Sequence, residues 1–149
     1  MTEKVVSLSD ERIAYLEGLV RQGKTAAAVF TQFSQQDVDA IVKAMVLAGL
    51  DQAQYLACLA IEETGLGVLE DKAIKNMVAT EFVYNYVRDK RSVGAIREFP
   101  ERGLVEVAEP ISLIFSLTPI TNPTSTVLFK CIMTIKTRNA VIFGPHPKA

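Results

Sequence analysis

Apolar residues in the first part of the chain recur every three or four positions, the period of a helix with one buried face. Ile13, Leu16, Leu19 and Val20 mark the first such stretch, with Asp10 placed to cap it and Gly23 to end it. The second start is clearer: Ser34 followed by Asp37 makes a capping box with Asp in place of Glu. Behind it Val38, Ile41, Val42, Met45 and Val46 form a continuous stripe, and Gly49 is the expected stop. A third helix is predicted over about 53–63, closed by "TGLG". A fourth, over about 70–88, carries Ile74, Met77, Val78 and Phe82 on one face and Lys, Asn and Glu on the other. For each stripe the plain expectation is packing.

The period then changes. "RDKRSVGAIREFPERG" reads as a charged connection broken by Gly94, Pro100 and Gly103. "LVEVAEP" alternates like an exposed strand that ends at Pro110, whereas "ISLIFSL" is a near-continuous apolar run, the pattern of a strand buried on both faces. Helical spacing returns at Val127, Leu128, Cys131, Ile132 and Ile135, with Lys136 and Arg138 at its end, where cations suit the helix dipole. "AVIF" is a second buried strand. Residues 111–143 therefore make one β–α–β unit, with parallel strands and a right-handed crossover. Two parallel strands need neighbours on both sides and helices on both faces, so the chain is expected to be the front of a longer protein.

Composition supports a globular class: 49% of residues are hydrophobic and 22% charged. A net charge of −1 without charge blocks gives no reason to expect nucleic acid as a partner. No apolar run is long enough to suggest a membrane span, and "MTEKVVSLSDER" becomes charged too early for a secretory leader. A cytoplasmic protein is the expectation. Cys58 and Cys131 sit in apolar helical surroundings, without metal or redox spacing and without a basic partner, so neither reads as a nucleophile.

The chemistry on offer lies in two Pro-rich turns, "TPITNPT" and "GPHP", which leave the carboxyl ends of the predicted parallel strands, where open α/β sheets bind ligands. Asn122 can cap the following helix with Pro123 at its first position. That helix start, with the hydroxyls of Thr121, Thr124, Ser125 and Thr126, offers donors to an oxyanion or phosphate. The same turn can equally be a capped turn satisfied locally. Neither standard phosphate loop is present. His146, the sole histidine, stands between two prolines with no acid or nucleophile near it in sequence. No metal site is expected.

Four stretches, "EETGLGVLEDKAIKN", "VAEPI", "TPITNPTST" and "KTRNAVIFGPHPKA", resemble the CoA-acylating aldehyde dehydrogenases. They are most similar to the N-terminal aldehyde dehydrogenase half of the bifunctional aldehyde–alcohol dehydrogenases. The resemblance covers roughly residues 34–149, and its blocks stand in family order. It implies an α/β fold: N-terminal helices followed by the start of a modified Rossmann NAD-binding domain, its sheet incomplete in this chain. Residues 1–103 would be the helical part, 104–110 a strand leading from an oligomerisation arm, and 111–149 the first β–α–β unit of the cofactor domain.

The resemblance also implies a reaction: a cysteine thiolate attacks an aldehyde, hydride passes to NAD, and CoA takes the acyl group. The family's cysteine lies further along than these residues, so the chain by itself is expected to be inactive and to act within a homo-oligomeric enzyme. Family members place an Asn amide in the oxyanion hole. Here "PITNP" aligns on its prolines to put Thr121 in that column and Asn122 one later, so both registers stay open, as in other acylating members. Thr118, Pro119, Phe143, Gly144, Pro145 and His146 match segments that line the dinucleotide. Ser112 stands where the family usually has Gly, and Gly144 where it usually has Ser, which removes a hydroxyl from the cofactor side. Other readings are a stand-alone acylating dehydrogenase for another aldehyde and a shortened, non-catalytic interaction module.

Overall fold

Ser9 begins the first helix, accepting a hydrogen bond from Arg12 N–H at 3.4 Å. The cap is therefore Ser9, and Asp10 is the first helical residue, its charge near the positive dipole end. The computed structural model describes residues 8–149. The expectation about a secretory leader concerns residues 1–7 in part, and to that extent lies outside the described residues.

Helix α1 (Asp10–Phe30) runs through Gly23 without a break. Gly23 is a packing residue: a Cβ there would lie 2.7 Å from Leu113 Cδ1, so its absence lets the helix lie close over the following sheet. Its predicted stripe is only loosely covered, and Ile13, Leu16 and Val20 remain exposed. Helix α2 (Gln35–Asp51) starts on the predicted capping box, with Ser34 and Asp37 bonded reciprocally. It passes Gly49 for the same reason that α1 passes Gly23: a Cβ would meet Thr80 Cγ2 and Leu128 Cδ2 at 2.9 Å. Helix α3 (Ala53–Thr64) ends at Gly65 in the left-handed conformation, as expected of "TGLG".

The fourth helical stretch is continuous but not uniform: α4 (Leu69–Met77), a π turn (Val78–Phe82) and α5 (Val83–Val87). Its orientation reverses the sequence expectation. Lys72, Asn76 and Thr80 are buried, whereas Ile74 and Phe82 are 57% and 65% exposed and Met77 and Val78 are exposed too. The polar face turns inward because it has backbone groups to satisfy there, as described below.

A short hairpin follows. The stretch read as a charged connection contains strand β1 (Gly94–Phe99), which pairs antiparallel with β2 (Leu104–Ala108) across a turn at Pro100–Arg102. Strand β3 (Leu113–Thr118) and β4 (Ala140–Pro145) pair in parallel from Leu113↔Ala140 to Thr118↔Pro145, joined by helix α6 (Pro123–Lys136). The β–α–β unit is thus as predicted, but β3 is not buried on both faces. Ser116 and Thr118 are covered, while Phe115 and Leu117 on the other face are 64% and 70% exposed.

The core joins α2, α5 and α6 through Val38, Val42, Val46, Val87 and Ile132. It is fastened at one end by a charge pair. Lys136, buried in the last turn of α6, donates to Asp39 Oδ1 at 2.6 Å, and Gln35 Nε2 donates to the same oxygen. Lys136 thus satisfies a neighbouring carboxylate as well as its own helix end. Arg138, at φ 55°, donates to Thr31 C=O at 2.6 Å and to Ala108 C=O at 3.3 Å, holding the ends of α1 and β2 together. No single described helix is long and apolar enough to cross a membrane.

Two stability predictions follow from these contacts. Asp39→Ala strands a buried ammonium and is expected to cost about 2 kcal/mol, less than for a wholly buried pair because water reaches Asp39. Lys136→Met removes the charge with its partner still wetted and should cost less; denaturant titration of both variants checks the order. Ser112 sits at φ 92°, held by its N–H on Asn139 Oδ1 and its carbonyl on Ala140 N–H. Ser112→Gly relieves that backbone strain and should stabilise the protein by about 1 kcal/mol in the same assay.

Candidate functional site

The turn between β3 and α6 is built by the polar face of α4. Asn76, wholly buried, donates through Nδ2 to Ala53 C=O at 2.8 Å and accepts through Oδ1 from Thr124 Oγ1 at 2.9 Å. One amide thereby links the start of α3, the end of α4 and the start of α6. Lys72 reaches past Gly67, where a Cβ would lie 2.8 Å from its Cε, and donates to Thr121 C=O at 3.0 Å. Lys75 donates to Asn122 Oδ1 at 3.2 Å.

Asn122 occupies the N-cap position with Pro123 at the first helical position, as predicted, and its carbonyl accepts from Thr126 N–H. Its side chain does not cap the helix. Asn122 Nδ2 instead donates to Thr121 Oγ1 at 3.3 Å, while Oδ1 is taken by Lys75. The amide is half-buried at the rim of a cavity of about 530 Å³, lined by Ile74, Val78, Ser125, Thr126 and Phe129 among others. An apolar cleft with an amide donor at its edge suits a small molecule with an apolar body and a polar oxygen.

A second cleft, of about 400 Å³, opens at the carboxyl ends of β3 and β4. Thr118, Phe143 and Pro145 line it together with Pro123 and Thr124, so three of the six residues matched to the dinucleotide segments meet here. Thr118 Oγ1 is buried without a protein partner, a polar atom left for something else to satisfy. Pro119, Gly144 and His146 are not among the lining residues. Pro119 and His146 are exposed, and His146 is turned back on its own segment, its N–H on Thr118 C=O and its Nδ1 accepting from Lys148 N–H. Gly144 packs against a ring: a Cβ there would lie 2.6 Å from Phe115 Cζ.

Cys131 faces neither cleft. It lines a separate apolar cavity with Met45 and Leu128, and burial pushes its thiol pKa up, opposite to what a nucleophile needs. Lys72 and Lys75 escaped the sequence reading because they sat on what looked like a solvated face. Lys72 stands three residues before Lys75 and four before Asn76, and that helical spacing was the available signal.

No protein-family model matches the chain. Among curated proteins it is 44% identical over 137 residues to the bifunctional aldehyde–alcohol dehydrogenase of Escherichia coli, a match that covers 92% of this chain and 15% of that one. Among solved structures it superposes on an acetylating aldehyde dehydrogenase from Geobacillus thermoglucosidasius with a TM-score of 0.90 at 40% identity, covering 93% of this chain and 31% of that one. A propionaldehyde dehydrogenase from Rhodopseudomonas palustris, solved with CoA and an acylated cysteine, matches at 29% identity and a TM-score of 0.71 over 89% of this chain and 30% of that one. Relatives of this kind have been solved with CoA and with NADP+ bound. The chain thus spans less than a third of the length of the proteins it resembles.

Lys72 offers a test of the site by pH. Burial, and then the charge of Lys75, lower its pKa below the ordinary 10.5. Between the lowered value and 10.5 the unfolded chain holds the proton that the folded chain has released, so the stability contribution of Lys72 rises with pH. The stability difference between wild type and Lys72→Met should therefore move in favour of wild type as pH rises through the alkaline range. Unfolding midpoints of both proteins across that range check it; a flat difference refutes it.

Proposed function

We propose that this chain, which belongs with the CoA-acylating aldehyde dehydrogenases as the counterpart of their N-terminal region, serves an enzyme that converts an aldehyde, CoA and NAD to acyl-CoA and NADH. Acetaldehyde is the substrate we favour. The observation that carries this reading is the Asn122 amide, which lines an apolar cleft with its oxygen held by Lys75 and its nitrogen using one N–H on Thr121.

In this reaction a thiolate adds to the aldehyde carbon and the carbonyl oxygen gains negative charge. A donor already in place stabilises that charge without reorganisation, worth about 3 kcal/mol in the transition state. Asn122 Nδ2 is the donor we assign; the Thr121 hydroxyl, in the neighbouring register, is at present its acceptor. Ile74, Val78 and Phe129 then take the apolar part of the aldehyde. The nucleophile and CoA site are contributed by parts of the enzyme other than these residues.

We assign the second cleft to part of the dinucleotide. Thr118, Phe143 and Pro145 would line it, although the Thr118 hydroxyl itself is buried. Pro119, Gly144 and His146 would border it from the two turns. When bound, NAD supplies the acceptor for hydride. The exposed faces of β3 and of α4 are read as surfaces that the rest of the enzyme covers, and the hairpin of β1 and β2, with Leu104, Val105 and Val107 exposed, as part of an arm between subunits of a homo-oligomer.

Acyl-CoA-dependent oxidation of NADH by the full-length enzyme is the first test, and its absence would sink the assignment. The sharper test is Asn122→Ala, expected to lower kcat about 100-fold or more. An unchanged kcat would reduce Asn122 to a helix-start residue.

A further inference from the structure

We infer that Lys75 is a positioning residue for catalysis: its ammonium holds the Asn122 amide in the one orientation that presents an N–H to the reacting oxygen. The inference rests on the oxyanion reading of Asn122 given above.

An asparagine amide can be turned end for end about its last bond with little change in shape, so its neighbours decide whether oxygen or nitrogen faces a given point. At Asn122 the neighbours are unequal. Lys75 Nζ, 3.2 Å from Oδ1, is a pure donor with a positive charge. Turning the amide over would bring NH2 against NH3+, two donors with no acceptor between them. The Thr121 hydroxyl at 3.3 Å accepts from Nδ2 but could equally donate to an oxygen, so it does not decide the orientation by itself. Lys75 does.

The ammonium also draws electron density toward Oδ1, which makes the N–H groups of the same amide better donors. One Nδ2 proton goes to Thr121, and the other is without a protein acceptor and, in the proposed reading, serves the reacting oxygen. The backbone around the amide is fixed by the next turn of the same helix, since Lys72 holds Thr121 C=O and Asn76 holds Thr124 Oγ1. Helix α4 thus grips the turn at three successive points, and the exposed one, Lys75, is the one that touches the donor itself. Lys72 and Asn76 are buried and carry stability as well as position; Lys75 is exposed in this chain and lines the cleft, so its replacement disturbs the packing of these residues least.

The test is a double-mutant cycle in the full-length enzyme, with steady-state kinetics for aldehyde, CoA and NAD. Lys75→Met is expected to lower kcat about tenfold with each KM unchanged, and Lys75→Arg, which keeps a charged donor, to restore most of it. Combined with Asn122→Ala, Lys75→Met should add nothing further, because the group it orients has gone. Full kcat in Lys75→Met beside a large loss in Asn122→Ala overturns the role of Lys75 and leaves the oxyanion reading intact. Losses that multiply in the double variant, or a raised KM for CoA or NAD in place of a lowered kcat, also overturn it, the latter by making Lys75 a contact for the charged co-substrate. Normal kcat in Asn122→Ala removes the oxyanion reading and this inference with it.

Discussion

The arrangement depends most on one buried amide. Asn76 is fully enclosed and uses both ends of its side chain, the nitrogen on Ala53 C=O and the oxygen on the Thr124 hydroxyl. Each partner is a group at the start of a helix. A buried amide left without either partner would cost more than the bond it lost, so the three segments are held to one mutual placement. That placement sets where β3 ends, where α6 begins, and therefore where the Thr121–Asn122 pair projects.

From this constraint follows the unusual orientation of α4. Its apolar residues Ile74, Met77, Val78 and Phe82 face outward because the polar ones are needed within. Lys72 gives up part of its hydration to satisfy a carbonyl of the turn, and the lowered pKa records that cost. Ile74 and Val78 of this apolar strip, together with Phe129, become a wall of the cleft beside Asn122. The same packing demand therefore supplies both the donor's support and the hydrophobic surface next to it.

The second cleft has a different origin. Parallel pairing of β3 and β4 brings Thr118 beside Pro145, and the turns that follow diverge to leave a space over Pro123 and Thr124. The Thr118 hydroxyl is left unpartnered and buried in the wall beneath it. Two clefts therefore lie on either side of one helix start, one largely apolar with an amide among its lining and one at the ends of the strands.

Much of this was legible in the residues. The capping box at Ser34, the valine stripe of α2, the β–α–β unit and the family resemblance all depend on local spacing or on strings of residues, and these survive any packing. The strand at Gly94–Phe99 was hidden because Ala95, Ile96 and Phe99 do not alternate: Arg97 and Glu98 interrupt them, Gly94 and Pro100 bound them, and the pairing shifts register between Ala95 and Arg97. The glycines at 23 and 49 looked like stops, since a chain alone cannot show that Leu113 and Leu128 will press against them. The inward face of α4 was misread for the same reason: hydrophobicity predicts burial only when no distant backbone group needs a donor. Local periodicity and chemistry belong to the sequence by itself. Which face turned inward, and hence that Lys72, Lys75 and Asn76 hold the turn, was decided only by contacts between residues some fifty positions apart, where satisfying buried polar groups outweighed covering exposed apolar ones.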